Sequence, residues 1–200
     1  MGTWTLPVRL LAAVYLPVDV AMWRHTGRMD TIIQPRLGVD FGRVIQGAAL
    51  PAGHEDTVFL GGSFEEAVGS PATDGALDVL ARLVQWFGGR VWVISKCGAR
   101  VQQRTLAWLD HHNFYTRTGI SRQNVRFCRK RADKAVHCAE LAITHVIDDR
   151  LDVHRVLRGL VPYLYLFGHQ GVPIPAWVRH TTTWADVEAS VTADIAVVRH

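Results

Sequence analysis

A few side chains of this sequence sit where chemistry is possible, and they recur in a fixed order. The stretch Arg36-Leu37-Gly38-Val39-Asp40-Phe41-Gly42-Arg43-Val44-Ile45 is a short apolar run that ends in Asp40 and passes into a glycine-containing turn. A carboxylate at the end of a buried strand is costly unless it is paired or binds a metal. Arg90-Val91-Trp92-Val93-Ile94-Ser95-Lys96 is a second apolar run, closed by the Ser95 hydroxyl and the Lys96 ammonium. Lys134 follows Arg131-Ala132-Asp133 at the start of a helical pattern. Thr144-His145-Val146-Ile147-Asp148-Asp149-Arg150 is a further apolar run, closed by paired carboxylates. Taken singly, Asp40 reads equally well as a turn residue, Ser95 as a helix cap and Lys134 as a solvated charge.

The elements that must position these groups alternate. Leu77, Leu80, Ala81, Val84 and Phe87 recur at helical spacing after a cap at Thr73 or Asp74, and Gly88-Gly89 ends that helix. The strand Val91 to Ile94 follows at once. A helix is expected from about Arg100 to His111, with Val101, Thr105, Trp108, Leu109 and His112 on one face. Asn124 to Cys128 reads as a strand, Lys134 to Ala142 as a helix and His145 to Ile147 as a strand. Leu151 to Leu160 reads as a helix, Tyr163 to Phe167 as a strand and Trp184 to Val191 as a final helix. Strands alternating with helices imply βα units and a largely parallel sheet covered on both faces. Ligands of such sheets bind at the carboxyl ends of the strands, where Asp40, Ser95 and Asp148-Asp149 fall.

The order Asp, Ser, Lys, Asp-Asp over roughly Arg36 to Gly168 resembles that of the haloacid dehalogenase-like hydrolases, a superfamily made up mostly of Mg2+-dependent phosphatases. The resemblance implies a Rossmann-like three-layer α/β sandwich. It implies that Asp40 is the nucleophile and forms an aspartyl phosphate. Ser95, with Lys96 beside it, and Lys134 would bind the phosphate, Lys134 also neutralising Asp40. Mg2+ would be held by Asp40, the backbone carbonyl of Gly42 and the pair Asp148 and Asp149, since this ion favours a few carboxylates plus waters and phosphate. Adjacent residues at a strand end point to opposite sides. One of the pair would therefore bind the ion and the other support it, and the sequence does not say which.

Gly42 departs from the family pattern. Phosphatases of the superfamily usually carry a second aspartate there, which protonates the leaving group and then activates water. General acid–base help is worth roughly 100- to 10,000-fold. Members that hydrolyse phosphonates also lack that aspartate and use a cap-domain lysine. The interval Gln46 to Thr73 leaves no room for such a cap; a small hairpin-like flap is expected, on which His54, Glu55 or Asp56 is a candidate acid. Two function classes follow: a phosphohydrolase of reduced activity, acting on a small phosphorylated molecule or a phosphorylated macromolecule, or a non-catalytic relative that binds a phosphorylated ligand or a protein partner.

Other motifs weigh less. Asp40-Phe41-Gly42 spells the kinase magnesium motif, but the Gly-rich loop and His-Arg-Asp loop of kinases are missing. In receiver domains the acidic pair comes first in the chain, and here it comes last. The basic run Arg117, Arg122, Arg126, Arg129, Lys130 and Arg131 has only Phe127 for stacking, which disfavours nucleic acid. His111-His112 reads as a helix end.

The chain has 200 residues, is 48% hydrophobic and 20% charged, and carries a formal charge of +4, which suits a globular protein with anionic ligands. Cys97, Cys128 and Cys138 are odd in number and contain no Cys-x-x-Cys, which argues against a disulfide framework or structural zinc and for a cytoplasmic setting. Cys97 reads as a packed thiol. Residues 36–200 are expected to form the α/β domain. Residues 1–35 are expected to form an extension, an arm or helix that packs on the domain or on another subunit. Leu10 to Met22 within it is too short and too interrupted for a membrane span, and the absence of a cleavage site after a basic start argues against a signal peptide.

Overall fold

A computed structural model describes residues 34–47 and 57–198. Expectations about residues 1–33, and about His54, Glu55 and Asp56, lie outside the described residues.

Strand β1 (Leu37–Val39) lies at the centre of a six-stranded sheet with β2 (Val91–Lys96), β3 (Val125–Cys128), β4 (His145–Asp148), β5 (Tyr163–Phe167) and β6 (Arg179–Thr181). The order is β3-β2-β1-β4-β5-β6, and all five pairings are parallel. The chain fills one side of β1 and then the other, so the winding reverses between β1 and β4. That reversal opens a crevice at the carboxyl ends of the strands, where open α/β sheets bind ligands. The Rossmann-like α/β fold is as expected.

Strand alternation explains the two covered faces. Val91 and Val93 face one core with Leu37, Val39, Ile147, Tyr165 and Phe167. Trp92 and Ile94 face the other with Val146, Leu164 and Leu166. The first core is roofed by α3 (Ala76–Trp86), α4 (Ala99–His111), α5 (Phe114–Thr118) and α8 (Trp184–Val198). The second is covered by α6 (Lys134–Glu140) and α7 (Leu151–Leu157). Gly38 marks a close approach: a Cβ there would stand 3.1 Å from Ile94 Cδ1 and 3.4 Å from Ile143 Cγ2.

Several element ends differ from expectation. The Thr73 hydroxyl donates to Gly47 O at 2.7 Å instead of capping, and Gly75, at φ 73°, starts α3. Helix α7 stops at Leu157, where Arg158 turns extended (φ −60°, ψ 125°) and left-handed Gly159 (φ 84°) follows. Helix α8 runs past Val191 to Val198. The described part of the expected flap is helical rather than a hairpin. It holds α1 (Thr57–Gly61) and α2 (Phe64–Gly69), the latter started by a Ser63–Glu66 capping box. Buried Phe59 and Ala67 fix this pair on the first core. Arg104, almost fully buried in α4, donates to Phe59 O at 2.6 Å and Gly62 O at 2.7 Å. Trp108 Nε1 donates to Ser70 O at 2.7 Å.

Candidate active site

Asp40 stands where β1 gives way to a turn, and its amide donates to Ile147 O of β4 at 2.9 Å. The turn is anchored from both ends. Phe41 is buried against Phe59 and Trp108, with ring centroids 5.5 and 5.2 Å away. The Phe41 carbonyl accepts from the amides of Ile45 and Gln46, and the Trp184 indole donates to Val44 O at 2.9 Å. Asp40 is thereby presented on a rigid corner.

Lys134, at the start of α6, reaches under this corner. Its Nζ lies 2.8 Å from Asp40 Oδ1 and 2.6 Å from Asp148 Oδ2, at the end of β4. The other oxygen of Asp148 accepts from the Arg150 amide at 2.9 Å. Asp149 is met by the Arg43 guanidinium at 2.8 Å and its carbonyl by Gln170 Nε2 at 3.2 Å. His154 Nε2 donates to Asp148 O at 3.0 Å, bracing the same strand end from α7. One carboxylate oxygen from each of Asp40, Asp148 and Asp149 falls within a set spanning no more than 4.8 Å.

Three carboxylates this close perturb one another. Burial raises the Asp40 carboxyl, Lys134 opposes the rise and Asp148 adds to it, leaving the group at about 6. Burial and the charges of Asp148 and Asp40 raise Asp149 to about 7, against the pull of Arg43 and Lys134. Burial works against the Lys134 ammonium, but Asp148 and Asp40 outweigh it and hold Lys134 above its ordinary range. Two cations against three carboxylates leave the cluster short of positive charge, so a further cation is electrostatically welcome.

Ser95 and Lys96 end β2 beside Asp40. With Asp40, Gly42, Arg43, Lys134 and Asp149 they line a cavity of about 270 Å³. Asp40, Gly42, Ser95, Lys96, Lys134, Asp148 and Asp149, the site residues expected from the sequence, therefore lie together at one end of the sheet. Gly42 has no atom within 4 Å of where its Cβ would stand, and its backbone lies outside the left-handed region. A side chain at Gly42 is thus sterically permitted.

Some expectations resolve as packing. Cys97 is buried, and burial pushes its thiol up to about 11, away from nucleophilic use. His112 stacks on Trp108 at 4.1 Å and meets Val68 O at 3.2 Å, as a helix end does. In the basic run Arg122 pairs with Asp110 and Arg131 with Asp152.

Sequence reasoning missed Arg43, Arg104 and Arg150. Arg43 stands beside Gly42 in the first motif with φ at 63°, a left-handed conformation that costs a non-glycine residue about 1–2 kcal/mol. Its position was visible; its reach to Asp149 was not.

A scan against protein-family models found no match, and a search of the curated proteins likewise found none. Among solved structures the chain is similar in fold to a haloacid dehalogenase-like family hydrolase from Xanthomonas campestris, with a TM-score of 0.56 at 12% identity. The alignment covers 82% of this chain and 97% of that one. The likeness is one of fold, a parallel α/β sheet covered on both faces. Among the described residues no helix is long and apolar enough to cross a membrane.

Proposed function

We propose that the protein is a Mg2+-dependent phosphohydrolase that works through an aspartyl phosphate on Asp40. One observation carries this reading: oxygens of Asp40, Asp148 and Asp149 cluster within 4.8 Å while Lys134 touches two of the three groups. The donor set is all hard oxygen, which fits Mg2+ rather than a softer metal. Asp40, Asp148, Asp149 and the Gly42 carbonyl would hold the ion. When bound it would neutralise charge on the phosphate, so that one anion can approach another.

The chain's own residues do the rest. An Asp40 oxygen bonds to phosphorus as the leaving-group oxygen departs with the bonding electrons. Lys134 holds Asp40 in place and offsets charge on the transferring group, and Ser95 and Lys96 hold phosphate oxygens. Water then attacks the aspartyl phosphate, releasing phosphate and restoring Asp40. The neighbour's description as a hydrolase supports the class by analogy of fold only. Three buried thiols without disulfides support a reducing, cytoplasmic setting.

Gly42 favours a second reading, a non-catalytic protein that binds a phosphorylated ligand or a protein partner, because no side chain there can shuttle a proton. The deciding experiment is hydrolysis of aryl phosphates with graded leaving groups, with Mg2+ and with chelator, by wild type and Asp40→Asn. Turnover that needs both Mg2+ and Asp40 supports the hydrolase. No Asp40-dependent turnover on any ester moves the conclusion to the binding protein.

A further inference from the structure

A larger groove adjoins the aspartate cavity. It measures about 670 Å³, and Arg43, Asp149 and Arg150 line both spaces. Its far wall carries Arg155 of α7 and His169 from the turn after β5. The two spaces thus adjoin across Arg43, Asp149 and Arg150.

The charge of that compartment is lopsided. Arg43, Arg150 and Arg155 line it against Asp149 and Asp152. Asp149 belongs to the aspartate cluster. Asp152 is divided between Arg131 at 3.4 Å and Arg150 at 3.5 Å, so one carboxylate is shared by two guanidinium groups. Arg155 and His169 make no hydrogen bond or ion pair with any described residue. The groove therefore offers in Arg155 a guanidinium that no described carboxylate pairs, beside Arg43 and Arg150, a surface matched to phosphate oxygens. Its volume lies in the ordinary range for small-molecule sites. Its lining has no Phe, Tyr or Trp on which bases could stack, which favours a compact ligand over a nucleic-acid strand.

We propose that the groove is a second phosphate subsite, and that the ligand of the aspartate site is a small bisphosphorylated molecule. One phosphate sits at Asp40, and the other is held by Arg155, His169 and Arg150. This proposal rests on the phosphate-binding part of the function proposed above, but not on catalysis.

The test is calorimetric binding of 1,4-butanediol bisphosphate and butanediol monophosphate to the full chain carrying Asp40→Asn, with Mg2+ present. The bisphosphate is expected to bind at least tenfold more tightly than the monophosphate. Arg155→Gln in the same background should cut that ratio about tenfold, the effect of losing a charge-assisted hydrogen bond. Arg82→Gln removes the same charge from a remote pair with Glu188, and should leave the ratio alone. Equal binding of the two ligands overturns the proposal. So does an equal fall with Arg82→Gln, which reports bulk charge alone. Tight, Arg155-dependent bisphosphate binding by a wild-type protein that hydrolyses nothing keeps the subsite and rejects the hydrolase.

Discussion

The Lys134 ammonium lies 2.8 Å from the Asp40 carboxylate, and both groups are largely withdrawn from water. Asp148 meets the same ammonium from the other side at 2.6 Å. Removing the cation leaves buried carboxylates facing one another. Lys134→Met should lower stability by about 3–5 kcal/mol in urea titrations. Mg2+ should restore part of the loss by mass action. A variant as stable as wild type in chelator would rule out this account of the charge balance.

Asp148 and Asp149 should not be equivalent. Asp148 is buried with both oxygens engaged, by Lys134 and the Arg150 amide. Asp149 faces the cavities and meets a partly exposed Arg43. Asp148→Asn should cost about 3 kcal/mol of stability, and Asp149→Asn clearly less. Both, with Asp40→Asn, should shrink the thermal shift produced by Mg2+. An undiminished shift in all three variants would place the metal elsewhere.

Without a side chain at Gly42 the leaving group must depart with its own charge. Wild-type turnover should therefore fall steeply as leaving-group pKa rises. Nothing lies within 4 Å of the Gly42 Cβ position, so Gly42→Asp should fold normally. It should raise turnover of alkyl phosphates by about 100-fold or more and flatten the leaving-group slope. An equally steep slope in a well-folded Gly42→Asp protein would mean that a missing acid is not what limits the reaction.

His145 predicts an acid-side stability loss. Its ring stacks on Tyr163 at 4.4 Å, meets Phe87 edge-on at 5.1 Å and lies 6.2 Å from Tyr165. Its Nδ1 pairs with the Thr144 hydroxyl at 2.7 Å, while the buried Nε2 has no partner. Burial lowers its pKa from 6.5 to about 3. The folded state thus prefers neutral imidazole. That preference is fully present above about 6.5 and is lost as pH falls toward about 3. Relative to His145→Phe, wild type should lose about 1.4 kcal/mol per pH unit through the middle of that window. Parallel stability curves for the two proteins between pH 7 and pH 4 would refute it.

Arg104 should matter to the cavity without touching it. Its guanidinium holds the carbonyls of Phe59 and Gly62, and Phe59 lines the cavity. Arg104→Ala should cost about 2 kcal/mol through unsatisfied carbonyls. It should also speed hydrogen exchange across residues 57–69 more than in β1 or β4. Uniform acceleration across the fold would indicate general destabilisation only.

The periodicity of apolar residues sufficed for the alternating fold, because strands buried on both faces must read as apolar runs and their helices must show one apolar stripe. It also sufficed to put Asp40, Ser95 and Asp148 at strand ends, since chain direction fixes which end of a parallel strand each residue occupies. Short elements escaped it. Strand β6 has only Thr181 buried and α5 is a single turn, so neither carries a period, and α1 and α2 are fixed by Arg104 and Trp108 from elsewhere in the chain. What only the tertiary structure decided is pairing across the switch point. Arg43 and Asp149, or Lys134 and Asp40, are distant in sequence, and nothing local obliges them to meet. They meet because the winding reverses between β1 and β4 and brings those strand ends side by side, where buried charges must find partners. The same reversal opens the arginine-lined groove, which leaves no trace in a one-dimensional pattern.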